Sequence, residues 1–539
     1  RLPLETTVRH GLELSASVQG AFNRRTSSQV RLNTPRIKPN SLEAYVQAKL
    51  KSDVQTWIRI PKEFWPKGAG WEKIKDPVVR LDKALYGHPD AGGYWEQHAV
   101  DHLTSKEVGF EEIEGWRSCF FHPRLNLFLC TYVDDFKMAG PKDALKEGWR
   151  LVRKGLTMGE PEGAERFIGC EHEVSSSTRA GKPVRQLKYY MKGFLEQCVK
   201  RYLDLSGRPE NCIKHVETPF LADDDRADDD IDQGGELQPH AAKILMKVLY
   251  AARMYRFDLL KPITYLASRI TKWSKKCDAR LHRVMCYINS TKNAELIGHI
   301  GDKPKDLQIG IWSDADFAGC KVTMRSTSGG YMALIGPNTF FPIGGYSRKQ
   351  TCVSHSTPEA EIVAANAALR VEGLPAMDLW DKILNRKVLY NFYEDNQATV
   401  QILRTGKNPT LRHLGRTHNI SVKWLCDTFK QLSKQLKLCY CDTSDMVADI
   451  FTKPFTDKER WWHALHNLGI YLPGEVEKLP PRKQPTGKDQ REIGETKSAE
   501  KSVARQTGGS KKEAKATIAE AGSIQAAATK ASFKAQSKQ

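Results

Sequence analysis

Apolar residues recur at two spacings along this chain, and the change from one to the other marks out its elements. In the C-terminal half, alternation predicts strands at 307–313, 330–335, 339–346, 388–393 and 436–441, while helical spacing predicts helices at 357–370, 397–404 and 445–452. Ser356 or Thr357 caps the first helix and Pro358 starts it, and Pro454 closes the last. Three hairpin-linked strands followed by helix and strand in alternation imply a mixed sheet covered by helices.

Shorter runs fill the N-terminal half. Residues 56–61 are strand-like, and residues 79–96 give a strand end, a turn and an aromatic-bearing helix. Two apolar runs within 127–140 flank Asp134 and Asp135, predicting a hairpin with adjacent carboxylates at its tip. Residues 187–203 pass from a strand into an amphipathic helix, and Ile244, Val248, Ala251, Ile263, Leu266, Leu281, Val284 and Ile288 recur at helical spacing. Residues 1–39 lack a sustained period, and the segment after 473 is rich in Lys, Ala, Ser, Gln and Gly with few aromatics; both are expected to be poorly ordered. The expected fold class is α+β and multidomain.

Composition narrows the partners. A length of 539 residues predicts three or four domains, and a hydrophobic content of 40% is enough for real cores. No run of eighteen apolar residues occurs and the opening Arg1-Leu2-Pro3 is no signal segment, so no membrane partner is expected and the chain reads as soluble and part of something longer. Basic residues outnumber acidic ones, 83 to 64, and the net charge of +19 points to nucleic acid. Arg253, Arg256, Arg269, Lys272, Lys275, Lys276, Arg280 and Arg283 are read as its phosphate footprint. The acidic run 223–230 lacks the ligand-and-glycine spacing of an EF-hand and reads as a solvated loop. Twelve scattered cysteines without a CxxC pair indicate reduced, mostly core thiols in an intracellular protein that is not secreted.

Candidate chemistry rests on carboxylates. Asp314 ends the first alternating run, Glu361 lies one turn into the capped helix, Asp395 follows the 388–393 strand, and Asp449 falls in the 445–452 helix. A lone carboxylate is usually solvated or capping. Acids delivered by two strand tips and two helices suit a site for two Mg²⁺ or Mn²⁺ ions about 4 Å apart, one activating water and one stabilising a leaving oxygen. Asp134 and Asp135 repel each other and call for a cation or strong solvation, with an ordinary Asp-Asp turn as the alternative.

These residues resemble a known family in order. Ser313–Gly319, Arg325–Gly330, Ser347–Gln350, Ser356–Glu361, Glu394–Gln397 and Ala448–Pro454 resemble the ribonuclease H domain of copia-type LTR retrotransposon Pol polyproteins. The resemblance implies that Asp314, Glu361, Asp395 and Asp449 hold metal and cut RNA paired to DNA, with Arg325, Ser326, Lys349, Asn396, Gln397 and His418 at the nucleic acid. Tyr132-Val133-Asp134-Asp135 resembles the reverse-transcriptase palm motif, and 81–87, with Lys83 and Tyr86, the motif near template and primer. The resemblance thus divides the chain into a truncated segment (1–40), a palm without fingers (41–185), a thumb-like segment with an acidic linker (186–235), a helical connection (236–300), a ribonuclease H-like mixed α/β domain (303–472) and a basic tail (473–539). It also implies a cytoplasmic element particle or the nucleus as the place of work.

Two positions depart from the family. Where the palm carries an earlier metal-bridging Asp this chain has Asn40, a neutral and poorer ligand, which argues against polymerase activity. The family's Arg-Thr-Lys-His is here Arg416-Thr417-His418-Asn419, so His418 is either a surface or cap residue or a histidine near the scissile phosphate. A rival reading from another class is a decayed element protein that only binds nucleic acid; retention of all four acids weighs against it.

Overall fold

A ten-stranded mixed sheet dominates the architecture. The computed structural model describes residues 35–37 and 44–476, apart from 52–53, 67, 69, 164 and 223–233. The segment 1–34, Asn40, the acidic run 223–230 and the tail from 477 lie outside the described residues.

The sheet is built around Gln308–Cys320, which pairs antiparallel with Arg325–Gly336 on one side and parallel with Tyr390–Glu394 on the other. Leu436–Tyr440 adds a further parallel strand beyond Tyr390–Glu394. On the far side follow Thr339–Lys349, Glu295–Ile300, Lys182–Tyr190, Cys170–Arg179 and Arg166–Phe167. The expected mixed α+β character is therefore present. One sheet also joins stretches that the sequence division assigns to four different segments.

The first strand is longer than its alternation suggests. Its parallel pairing stops at Trp312 opposite Tyr393, but its antiparallel pairing continues past Asp314 to Asp316 and resumes after a bulge at Cys320. Asp314 is thus mid-strand, at the point where one of two neighbours has ended. The Asp449 segment also differs from the expected α-helix: Thr443–Asp445 and Val447–Phe451 are 3₁₀ turns. Contacts with the sheet, described below, hold it in place of helical periodicity.

A second, six-stranded sheet contains the hairpin Leu127–Tyr132 and Asp135–Ala139, covered by the helices Ala91–Leu103 and Lys142–Val152. Helices Gln238–Met254, Leu260–Ala267 and Lys275–Ser290 share a continuous core with the large sheet. The phosphate footprint expected there needs correcting. Arg256 is fully buried and bonded to Asp258 at 2.7 Å, and Arg280 is buried against the Tyr265 hydroxyl at 3.0 Å, so neither guanidinium faces a phosphate. All twelve cysteines are free thiols, most of them buried, as expected. Among the described residues no helix is long and apolar enough to cross a membrane.

Candidate metal centre

Five carboxylates meet where the parallel strands Gln308–Cys320 and Tyr390–Glu394 part. Successive residues of a strand face opposite sides of the sheet. On one side Ala315 packs against Ala360 and Ala364, which seats the helix Thr357–Ala367 and brings Glu361 to the strand ends. Ser356 caps that helix by accepting the Glu359 N–H at 3.3 Å.

On the other side, Asp314 accepts a short hydrogen bond from the Thr452 hydroxyl. Glycines make this approach possible. A Cβ at Gly329 would lie 2.8 Å from Thr452 and 2.9 Å from the Ala448 carbonyl, and one at Gly345 would lie 2.5 Å from the Phe451 ring. With hydrogen at both positions, the turn Val447–Phe451 lies flat on the sheet and delivers Asp449.

Two overlapping triads result. One ligand oxygen each from Asp314, Asp395 and Asp449 lies within 4.8 Å of the others, and the same holds for Glu361, Glu394 and Asp395. The four predicted acids are therefore brought together, with Glu361 joined to Asp395 and a fifth, Glu394, added. Asp395 accepts from the Thr443 hydroxyl at 2.8 Å. Lys453 donates to Asp449 Oδ1 at 2.6 Å and stands 3.6 Å from Asp314 Oδ1.

Burial and mutual repulsion dominate the electrostatics. Burial first, then the charges of Glu394, Asp314 and Asp395, push the Glu361 carboxyl up to about 11. Burial and Asp314 push Asp449 up to about 8 against the opposing pull of Lys453. Burial, Asp395 and Asp314 hold Glu394 well above the carboxylate range, and burial with Asp314 raises Asp395. Oxygen-only donors crowded in this way suit hard divalent cations.

The other expected residues surround this cluster or lie apart from it. Asn396 caps the helix Gln397–Thr405 by accepting the Thr399 N–H at 3.0 Å, and Gln397 is exposed beside it. Ser326 is fully buried and accepts the Ala318 N–H at 3.1 Å; Arg325 is exposed, and Lys349 Nζ lies 2.9 Å from Cys320 Sγ. The His418 ring is buried, with Nε2 3.4 Å from Glu359 Oε1. Glu359 and Glu361 are two positions apart on one helix and face different ways, so His418 does not join the acid cluster.

Asp134 and Asp135 occupy the predicted hairpin tip, where Val133 has φ +52°, a strained value for a β-branched residue. The Val133 carbonyl accepts from Trp95 Nε1 at 2.6 Å. The Tyr86 ring lies 4.3 Å from that of Tyr45 at a tilt of 44°, and its phenol is raised by burial and by the charge of Asp134; Lys83 is exposed nearby in sequence. Among the described residues no group of three potential metal ligands includes either aspartate.

The sequence reading missed Glu394, Lys453 and Thr452. An available signal for Glu394 was its place directly before Asp395, the same adjacency that draws attention to Asp134 and Asp135. For Lys453 the available signal was its place four residues after Asp449, the spacing at which an acid and a base meet across a helical turn.

No family model matches the chain. It is 26% identical over 439 residues to the transposon Ty1-DR1 Gag-Pol polyprotein of Saccharomyces cerevisiae, and 25% identical over 441 residues to the Ty1-H Gag-Pol polyprotein of the same organism. Each alignment covers 78% of this chain and 23% of the relative, so the chain spans about a quarter of the length of these polyproteins. The chain is thus a homologue of part of the Gag-Pol polyproteins of copia-type LTR retrotransposons.

Proposed function

We propose that the acid cluster is a two-metal ribonuclease H centre that hydrolyses the RNA strand of an RNA/DNA hybrid, within a domain of ribonuclease H type. The observation that carries this reading is the convergence of Asp314, Asp395 and Asp449, with Glu361 joined through Asp395, from four separate elements. The donors fit Mg²⁺ or Mn²⁺: all are oxygens, and the buried Glu361 Oε2 has no hydrogen-bond partner. Bound ions would activate the attacking water and stabilise the leaving oxygen.

The chain's own residues do the rest. Thr452 and Thr443 fix the Asp314 and Asp395 carboxylates by hydrogen bonds, so the ligands are oriented in advance. Exposed Gln397, two positions after Asp395, and exposed Arg325 are suited to the hybrid backbone. Incubation with a labelled RNA/DNA hybrid and Mg²⁺ tests the reading: RNA should be cut, and Asp395→Asn should abolish cutting.

A second reading, RNA-directed DNA synthesis on a template–primer at Asp134 and Asp135, draws support from the strained Val133 turn and from Tyr86, whose phenol is raised by the charge of Asp134 as well as by burial. Asn40 counts against it, and primer extension on a poly-rA template with Mg²⁺ or Mn²⁺ decides it.

A further inference from the structure

Glu394 is completely buried at the end of the strand Tyr390–Glu394. Hydrogen bonds answer little of its charge: the Ser313 hydroxyl reaches Oε2 at 3.1 Å and the Asn396 N–H reaches Oε1 at a long 3.3 Å. Its neighbour Glu361 is 4% exposed, and Glu361 Oε2 has no hydrogen-bond partner at all. The nearby ammonium, Lys453, is directed to Asp449 and Asp314 in the other triad.

Three carboxylates whose oxygens approach within 4.8 Å therefore share a buried space that calls for positive charge. Oxygens on opposite sides of a six-coordinate Mg²⁺ stand about 4.2 Å apart at bond lengths of 2.0–2.1 Å. Adjacent oxygens on the same ion stand about 2.9 Å apart, so the three carboxylates would draw in around it.

We propose that Glu361, Glu394 and Asp395 form a pocket for a hard divalent cation of the Mg²⁺ or Mn²⁺ class, with Glu394 as a ligand. Asp395 is shared with the Asp314 and Asp449 triad, so the two pockets meet at one carboxylate. This rests on reading the acids as a cation site, not on which bond is cut there.

The test is Mn²⁺ titration of the full chain without nucleic acid, following free Mn²⁺ by electron paramagnetic resonance. Wild type should bind two ions. Glu394→Gln keeps the side chain's shape and hydrogen-bonding oxygen, and it should lose one ion or weaken it at least tenfold; unchanged binding overturns the pocket. Should the variant not fold, anomalous diffraction from Mn²⁺-soaked wild-type crystals decides. An ion in contact with Glu394 supports the proposal, and ions held only by the other four acids overturn it. Loss of an ion in Glu394→Gln with no hybrid cleavage by wild type would leave this pocket standing while removing the nuclease reading. Unchanged Mn²⁺ binding with normal cleavage would do the reverse.

Discussion

Lys453 places its ammonium 2.6 Å from Asp449 and 3.6 Å from Asp314, inside the triad that would receive a metal ion. A fixed positive charge there steadies the metal-free cluster and opposes an incoming cation. Lys453→Met should therefore lower the stability of the metal-free chain by roughly 1–2 kcal/mol, allowing for solvent screening of a partly exposed side chain. It should also tighten Mn²⁺ binding by about tenfold, in line with unit charges a few ångströms apart near a protein surface. Calorimetry and melting in EDTA read both effects. Weaker Mn²⁺ binding would instead make Lys453 an aid to the metal.

The raised carboxyls of Glu361, Glu394, Asp395 and Asp449 give stability a definite pH slope. An acid raised in the folded state keeps a proton that the unfolded chain has released, so its contribution falls as pH climbs above the ordinary carboxylate value near 4.5. His299 acts oppositely. It is buried and lowered to about 3, so it destabilises the fold only as pH falls below about 6.5. Between pH 7 and 8.5 the raised acids outweigh the one group that opposes them, the Cys320 thiol lowered to about 7, while Lys453 is raised and stays protonated throughout that window. The metal-free chain should lose stability across it, saturating Mg²⁺ should flatten the slope, and Glu361→Gln should reduce it. Melts in EDTA at the two ends check this; stability that rises with pH contradicts it.

Gly329 links the fold to the site. A methyl there would press on Thr452 and the Ala448 carbonyl, which together position Asp449 and bond Asp314. Gly329→Ala should cost about 1–3 kcal/mol of stability, as overpacking does, and should lower hybrid cleavage far more than that loss of folded protein explains. Denaturation and single-turnover cleavage on the same preparation separate the two.

What could be read in the sequence follows from what is local. The hairpin-linked strands from Gln308 to Lys349 and the Ser356-capped helix carry their own period and caps, so they and the acids on them were legible. Asp449 was legible as a residue but not in its element, since the turn Val447–Phe451 is shaped by Gly329, Gly345 and Asp314 across the sheet rather than by its own spacing. The large sheet was legible only in part. Its pairing of Lys182–Tyr190 with Glu295–Ile300 spans over a hundred residues and leaves no mark on either strand alone. Glu394 was hidden because its neighbour Glu361 comes from the Thr357–Ala367 helix, remote in sequence, and the same helix turns Glu359 toward His418.

The central claim is most directly tested by following a 5′-labelled RNA strand annealed to DNA in the presence of Mg²⁺, with the intact chain and with Asp395→Asn. The arrangement of acids predicts metal-dependent cuts in the RNA by the wild type, none in the DNA strand, and a loss of at least a hundredfold in the variant. Undiminished cutting by Asp395→Asn, or no cutting by a folded wild type that binds Mn²⁺, would contradict it.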